Sequence, residues 1–386
     1  MKPRRWLFPL WRIASALSPS EPTKTVQRIG FITDGKLPTL ANSFTRPWRL
    51  LLGWPSTSAV GAMRHGWIAR EVNRSSSLHY EVFRPHRHYA AVVFLKSMTP
   101  LCAALAERLR ARGTRVLFDL NVDYLTPASG AFYYKGMAPT GAQRSEALKM
   151  IALSDGVIAD SRHLTAIAAA HHPRTRWVPD NVAPDIVPAP RTWRRQGKLP
   201  LLWSGQSVKL FELLKIAPVL RRYSAHVRLV LVTNSLTARD LWHGDLRERV
   251  EALLGAVETQ VLPFRSIPAL LETYAQGGVF ISPRFLDNTY NLGHTEWKIA
   301  LPMACGRIAI GCPQPSYRDV ATRSGGHGLR LCETEEQWCA ALDAVLSENF
   351  DFSTEEDAAR TVIRRHYGTP VVAGEHRRFI EEVLTA

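Results

Sequence analysis

Short apolar runs alternate with amphipathic stretches along most of the chain. The run Tyr89 to Leu95 is almost continuously apolar, which is typical of a strand buried on both faces of a sheet. The stretch Leu101 to Arg112 that follows carries apolar residues at helical spacing and ends at Gly113. Two more short apolar runs, Arg115 to Leu120 and Gly156 to Ala159, lie further along. This alternation predicts parallel βαβ units and the α/β class.

The same pattern predicts the remaining elements. The other predicted strands are Val26–Thr33, Tyr80–Phe83, Leu199–Trp203, Val227–Thr233, Glu258–Leu262, Gly278–Ser282 and Arg307–Ile310. The other predicted helices are Ala59–Asn73, Ser145–Leu153, Leu210–Tyr223, Leu246–Leu254, Ile267–Tyr274, Glu335–Leu346, Thr354–Leu384 and one that Ser161 caps and that runs to about Ala170.

A segment rich in Pro and Arg interrupts the alternation, and the pattern starts again after it. We therefore predict two Rossmann-like open-sheet domains that face a central cleft, with ligands at the carboxyl ends of the strands. The C-terminal helices are expected to pack back toward the first domain. The predicted units are a tail and linker (1–25), a first domain (26–182), a linker (183–199), a second domain (200–353) and C-terminal helices (354–386).

The composition and charge narrow the function classes. The chain has 386 residues, 46% of them hydrophobic and 22% charged, which is ordinary for a globular protein and excludes a disordered or collagen-like chain. Of the net charge of +15, residues 1–190 carry +13, from 25 Lys and Arg against 12 Asp and Glu. A basic half predicts an anionic partner, such as nucleic acid, a membrane surface or an anionic substrate, unless the charge serves solubility alone.

The amino-terminal segment 1–17 is basic and aromatic. Pro9 and Arg12 interrupt what would be the apolar core of a signal peptide. Trp6 and Trp11 beside Arg residues suit a membrane interface, and a frayed tail is the alternative.

The cysteines point to a reducing compartment. There are five, and no pair has CxxC spacing, so a zinc site or a disulfide framework is not expected. No apolar run approaches the roughly 18 residues of a membrane span. We expect a cytoplasmic protein, peripheral on the inner face of the membrane if the tail binds it.

The turn after the predicted strand Leu199–Trp203 contains Gly205, Gln206 and Lys209. A Gly there lets a phosphate approach the backbone, and a Lys near a helix start suits a diphosphate, although such junctions are also common without a ligand. Asn234 and Arg265 each follow a predicted strand and either reach the same ligand or face solvent. The absence of GxGxxG and GxxxxGK[ST] argues against dinucleotide dehydrogenases and P-loop enzymes.

The most informative stretch runs from Phe280 to Tyr317. A strand ends at Pro283, a polar loop follows, and a short helix reaches Cys305-Gly306 before another apolar strand. Polar groups around a helix amino terminus are what anion and sugar binding requires. The loop and helix supply Asp287, Asn288, Asn291, Thr295, Glu296 and Lys298.

At these residues the sequence resembles GT-B glycosyltransferases of the family four type, especially divergent bacterial members. The positions in register with the family pattern are Asp287-Asn288, Asn291, Thr295, Lys298, Gly306 and Ser316-Tyr317. In the first domain, Arg115 to Leu125 and Ile158 to Leu164 are similar to family segments. Leu301 and Gly293 stand where family members carry Glu residues, the first of which contacts the donor ribose.

The resemblance implies a nucleotide-sugar donor, UDP- or GDP-linked, held by the second domain, and a glycan or lipid-linked acceptor held by the first. It also implies retention of anomeric configuration, no cofactor and no obligatory metal. Lys298 and Lys209, with Arg265 as a further candidate, would neutralise the leaving phosphate, so Lys298→Ala should abolish transfer while the protein still folds. Asp123 either orients an acceptor hydroxyl or caps a nearby backbone.

Two alternatives stay open. Leu301 favours a noncatalytic GT-B-like protein that binds a sugar or nucleotide. The basic half allows a nucleic-acid-binding protein, but the chain shows no helix-turn-helix, zinc-finger or RNP-like pattern, which makes nucleic acid the weakest candidate.

Overall fold

The computed structural model describes residues 26–33, 61–189, 197–234 and 240–386. The predictions for the tail 1–17 and for the linker residues 18–25 lie outside the described residues. The start of the predicted helix Ala59–Asn73 does so as well.

The first domain is built on a six-stranded parallel sheet. Its strands are β1 (Gln27–Thr33), β2 (Leu78–Val82), β3 (Ala91–Leu95), β4 (Arg115–Leu120), β5 (Gly156–Ala159) and β6 (Thr175–Trp177). They lie in the order β2-β1-β3-β4-β5-β6. The helices are a π-helical segment (Gly61–Trp67) that leads into α1 (Ile68–Ser75), then α2 (Pro100–Ala111), α3 (Gly141–Leu153) and α4 (Arg162–Ala169).

The second domain repeats the design. Its parallel sheet has the order β12-β11-β10-β7-β8-β9. Its strands are β7 (Leu199–Gly205), β8 (Val227–Thr233), β9 (Thr259–Pro263), β10 (Val279–Ser282), β11 (Ile308–Gly311) and β12 (Leu329–Leu331). Its helices are α5 (Ala217–Arg222), α6 (Leu246–Ala256), α7 (Ile267–Ala275), α8 (Thr289–Leu292), α9 (Trp297–Ala304), α10 (Pro315–Ser324) and α11 (Glu335–Leu346), with 3-10 helices at Pro184–Ile186 and Ser207–Ile216.

The α/β prediction with two Rossmann-like sheets is confirmed, but two helical predictions were wrong in detail. The predicted helix Leu210–Tyr223 is a 3-10 segment followed by the short α5, because Pro218 has no N–H to continue a helix and instead sits in the first turn of a new one. The predicted helix Thr354–Leu384 is two helices, α12 (Phe352–Tyr367) and α13 (Thr369–Thr385), separated by an extended Gly368.

The carboxyl-terminal helix α13 packs on the first domain. Its buried residues Val372, Phe379 and Ile380 share a core with Ile29 and Phe31 of β1. Gly156 of β5 makes room for it, because a Cβ there would lie 2.9 Å from the Phe379 ring.

The chain passes between the two domains twice, near Val182 and near Gly368, and these two segments lie side by side. Val182 N donates to Tyr367 O at 2.8 Å, and Thr369 N donates to Val182 O at 3.0 Å. The two connecting segments are thus joined to each other by backbone hydrogen bonds. Within the described ranges, no helix combines the length and apolar character that crossing a bilayer requires.

Candidate functional site

The carboxyl ends of the two sheets face each other across a cavity of about 220 Å³. From the first domain, residues at the ends of β3, β4, β5 and β6 line it. From the second domain, residues between β10 and the first turn of α9 line it. The lining residues are Met63, Lys96, Asn121, Val122, Asp160, Asp180, Arg284, Tyr290, His294, Thr295, Trp297 and Lys298.

Lys298, in the first turn of α9, is held by a buried carboxylate. Its Nζ donates to Glu212 Oε2 at 3.0 Å and lies 4.6 Å from the centre of the Trp203 ring. Arg284, which follows β10, has Nη1 3.7 Å from the other oxygen of Glu212. The sequence did not identify Glu212 or Arg284. Together these residues place two cations beside the cavity.

Lys209 joins the same cluster from the 3-10 helix Ser207–Ile216. Its Nζ donates to His294 Nε2 at 3.2 Å and lies 5.2 Å from the centre of the Tyr290 ring. The structure therefore brings together the two lysines that the sequence singled out. We call Lys209, Lys298 and Arg284 the cationic cluster.

Burial governs the protonation of this cluster. Burial lowers the pKa of Lys298 to about 8, and Glu212 opposes that shift. Burial would raise the pKa of Glu212, but Lys298 and Arg284 outweigh it and the pKa lies below its usual range. Burial, followed by the charge on Lys209, lowers the pKa of His294 well below its usual range. His294 is therefore a neutral acceptor for Lys209 at pH 7.

Three predicted residues of the polar loop shape the loop itself. Asn288 Oδ1 accepts from Asn291 N at 2.8 Å and caps α8, while Asn291 Nδ2 donates to Phe285 O at 2.7 Å. Asp287 is exposed and accepts a hydrogen bond from the Tyr133 hydroxyl of the first domain. These three are not among the residues that line the cavity, and their donor-binding role stays a prediction.

Thr295 and Glu296 lie at the junction of the domains. Thr295 Oγ1 donates to Asp180 Oδ2 at 2.7 Å, which ties the start of α9 to the end of β6. Glu296 is buried, and its Oε1 has no hydrogen-bond partner among the described residues. Burial, with the charge on Asp180, raises the pKa of Glu296 well above its usual range.

The turn that was predicted to bind the diphosphate lies at the end of β7 and is accessible to solvent. Gln206 is exposed, and a Cβ at Gly205 would lie 2.9 Å from the Trp203 ring. Asn234 Oδ1 accepts from Ser207 N at 2.7 Å, so it fixes the start of the 3-10 helix. Arg265 is exposed beyond β9 and does not line the cavity. Binding of the nucleotide-sugar donor by these four residues remains a prediction.

Asp123 caps its own loop. Its Oδ1 accepts from Leu125 N at 3.0 Å and from Thr126 N at 2.9 Å, which is the second of the two roles considered for it. Gly293 packs against it, because a Cβ there would lie 3.0 Å from the Asp123 Cβ. Leu301 is buried in the apolar core of the second domain.

A buried network, not identified from the sequence, links the first domain to α9. Arg64 donates to both oxygens of Asp119, at 2.8 and 3.1 Å, and to Asp180 Oδ1 at 2.8 Å. The second oxygen of Asp180 accepts from Thr295. We call Arg64, Asp119, Asp180 and Thr295 the interdomain network.

Solved structures match the chain. HepE from Anabaena in complex with UDP-glucose gives a TM-score of 0.61 at 11% identity and covers 93% of this chain and 100% of that chain. Sucrose-phosphate synthase from Thermosynechococcus elongatus gives 0.59 at 14% identity, with 77% and 74% covered. The catalytic domain of starch synthase IV from Arabidopsis thaliana, bound to ADP and acarbose, gives 0.55 at 10% identity, with 77% and 73% covered. No family model and no curated protein matches the sequence.

These structures have the GT-B fold, and so does this chain. The predicted fold class is thereby confirmed. At such low identity the likeness establishes the fold, and the chemistry has to be argued from the residues of the cleft.

Proposed function

We propose that the protein is a glycosyltransferase that moves a sugar from a nucleotide-sugar donor to an acceptor. The observation that carries the proposal is the cationic cluster, which places Lys209, Lys298 and Arg284 at the carboxyl ends of the second sheet. A departing nucleoside diphosphate develops negative charge, and preorganised cations in a site shielded from water stabilise it strongly. The solved neighbours with UDP-glucose and with ADP support this class of donor.

The finer features of the proposal follow the resemblance. The donor is UDP- or GDP-linked, its sugar a hexose, and the reaction retains configuration without a metal or a cofactor. The leaving phosphate itself takes the acceptor proton on the same face of the sugar, so no carboxylate pair of the glycosidase kind is needed. The acceptor, a glycan or a lipid-linked sugar, binds the basic first domain. We place the protein in the cytoplasm, peripheral on the membrane through residues 1–17.

A thermal-shift screen tests the donor. We expect UDP or GDP, or one of their sugar conjugates, to raise the melting temperature by binding the folded state, and the shift should grow with ligand concentration. A shift with DNA or RNA, and none with nucleotides, would contradict the proposal.

One observation favours a second candidate, a noncatalytic protein that binds the same ligands. Leu301 puts an apolar side chain into the core at the position where family members have a ribose-contacting Glu. Binding of a nucleotide sugar without release of nucleotide in the presence of acceptors would support this candidate.

The lowered pKa of Lys298 predicts a pH dependence. Below about pH 8 its ammonium is charged and attracts a diphosphate, and above it the charge is lost. We expect the affinity for the nucleoside diphosphate to weaken by about tenfold between pH 7 and pH 9, measured by isothermal titration calorimetry. In Lys298→Arg the guanidinium keeps its charge, so affinity should change little over this range. Equal affinities of the wild type at pH 7 and pH 9 would exclude Lys298 as a phosphate ligand.

A further inference from the structure

Two acceptor groups on the first-domain wall of the cavity have no partner. Asp160 follows β5 and is fully buried, and both of its carboxyl oxygens lack a hydrogen-bond partner among the described residues. Asn121 follows β4, and its buried Oδ1 lacks one as well. Leu120 and Ala159 pair in the sheet, so the two side chains leave neighbouring strand ends. Buried polar groups are normally hydrogen-bonded, and unpaired ones in a cavity wall mark a place for a ligand.

Among the described residues, no hydrogen bond accounts for the buried carboxyl of Asp160. The nearby Arg64 is already engaged by Asp119, by Asp180 and by the Val178 carbonyl oxygen. Burial, with the charge on Asp180, raises the pKa of Asp160 well above its usual range, and Arg64 only partly opposes that shift. The interdomain network is complete without Asp160.

The opposite wall of the cavity, from the second domain, carries hydrogen-bond donors instead. Arg284 Nε and Trp297 Nε1 have no hydrogen-bond partner among the described residues, and Lys298 Nζ lies beside them in the lining. An ionised phosphate only accepts hydrogen bonds, whereas a hydroxyl both accepts and donates. The wall with hydrogen-bond donors therefore suits a phosphate, and the wall with Asp160 and Asn121 suits hydroxyl groups.

We propose that Asp160 and Asn121 bind hydroxyl groups of the sugar carried by the donor, and that this sugar is neutral. The inference rests on the proposed function and adds the class of sugar. Lys96 also lines this wall, but at Asp160 and Asn121 the carboxylate of a uronic acid would place its oxygens against unpaired oxygens. The cavity of about 220 Å³ is smaller than the roughly 300–1,000 Å³ of pockets for drug-sized ligands, so it suits the sugar ring rather than the whole nucleotide conjugate.

Calorimetric titration of the full chain tests the inference with defined probes. The probes are UDP, GDP, UDP-glucose, UDP-N-acetylglucosamine, GDP-mannose and UDP-glucuronic acid. For the wild type we expect a neutral conjugate to bind more tightly than its nucleotide alone and more tightly than UDP-glucuronic acid. In Asp160→Ala that conjugate should lose about 3- to 10-fold in affinity, the loss expected for a hydrogen bond between uncharged groups, since burial raises the pKa of Asp160, with nucleotide affinity unchanged.

The control is Asp185→Ala, which removes an exposed aspartate of the same chain far from the cavity and should leave every affinity unchanged. If UDP or GDP binds but Asp160→Ala binds the neutral conjugate as well as the wild type does, the assignment of Asp160 is overturned and the proposed function stands. If neither nucleotide binds the wild type, the proposed function fails, and the inference fails with it.

The melting temperature supplies a readout that needs no ligand. Because the Asp160 carboxyl has no hydrogen-bond partner among the residues that the structure describes, Asp160→Asn should melt at or above the wild-type temperature. A fall of several degrees would show that the carboxyl has a structural partner and would overturn the assignment.

Discussion

Lys298→Ala is expected to lower kcat/KM for sugar transfer by about 10²- to 10³-fold, the usual effect of losing one group that stabilises developing charge. The structure adds a second consequence. Glu212 is fully buried and would lose its nearest cation, keeping the more distant Arg284 as an ion-pair partner, and breaking a buried pair in this way costs about 3–5 kcal/mol. That the variant still folds stays a prediction, and we expect its stability to be clearly lower than that of the wild type.

A double variant separates the two effects. Glu212→Gln combined with Lys298→Ala removes the buried carboxylate together with the lysine that pairs with it. The melting temperature should recover in part, since buried Arg284 also loses its carboxylate partner, while transfer stays low. Lys215→Ala, an exposed lysine of the same 3-10 helix, serves as the control and should leave both unchanged. Recovery of transfer in the double variant would show that Lys298 acts only by holding Glu212.

Arg64→Ala is expected to give a loss of stability as large as that of Lys298→Ala. Arg64 is almost completely buried, and its removal leaves Asp119 and Asp180 without their shared cation. The expected loss is about 3–5 kcal/mol in the free energy of unfolding. It can be measured by urea unfolding monitored through tryptophan fluorescence.

The matched control is Arg70→Ala. Arg70 pairs with Asp185, but both side chains are 56% exposed, so the change should stay within about 0.5 kcal/mol. Equal unfolding midpoints for Arg64→Ala and Arg70→Ala would mean that the interdomain network does not stabilise the fold.

Strongly patterned elements could be predicted from the sequence, and short edge elements could not. β4, β5 and β8 have the predicted bounds, because burial on both faces of a parallel sheet requires an uninterrupted apolar run. β6 (Thr175–Trp177) and β12 (Leu329–Leu331) were missed. Both lie at sheet edges, are three residues long and are largely half-buried, so they show no apolar run.

The predictability of the site divides in a similar way. Lys209 and Lys298 could be found because each lies next to a recognisable junction of strand, polar turn and helix. Glu212 could not, because one acidic residue in KLFELLKI is expected to face solvent, whereas most residues of this 3-10 helix, Glu212 among them, are buried. Asp160 lies within a segment that is similar to the family. Its carboxyl has no partner among the described residues because Arg64, almost 100 positions earlier in the chain, bonds to Asp119 and Asp180 instead, which the sequence does not show.

The central claim is that the cationic cluster holds the leaving diphosphate of a sugar donor. Its most direct test is the release of free UDP or GDP from a panel of nucleotide sugars, incubated with the purified full chain and simple sugar acceptors at pH 7. The account predicts that the wild type releases nucleotide from at least one neutral donor and that the Glu212→Gln, Lys298→Ala double variant, assayed below its melting temperature, does not. Tight binding of a nucleotide sugar without release, or equal release by both proteins, would contradict it.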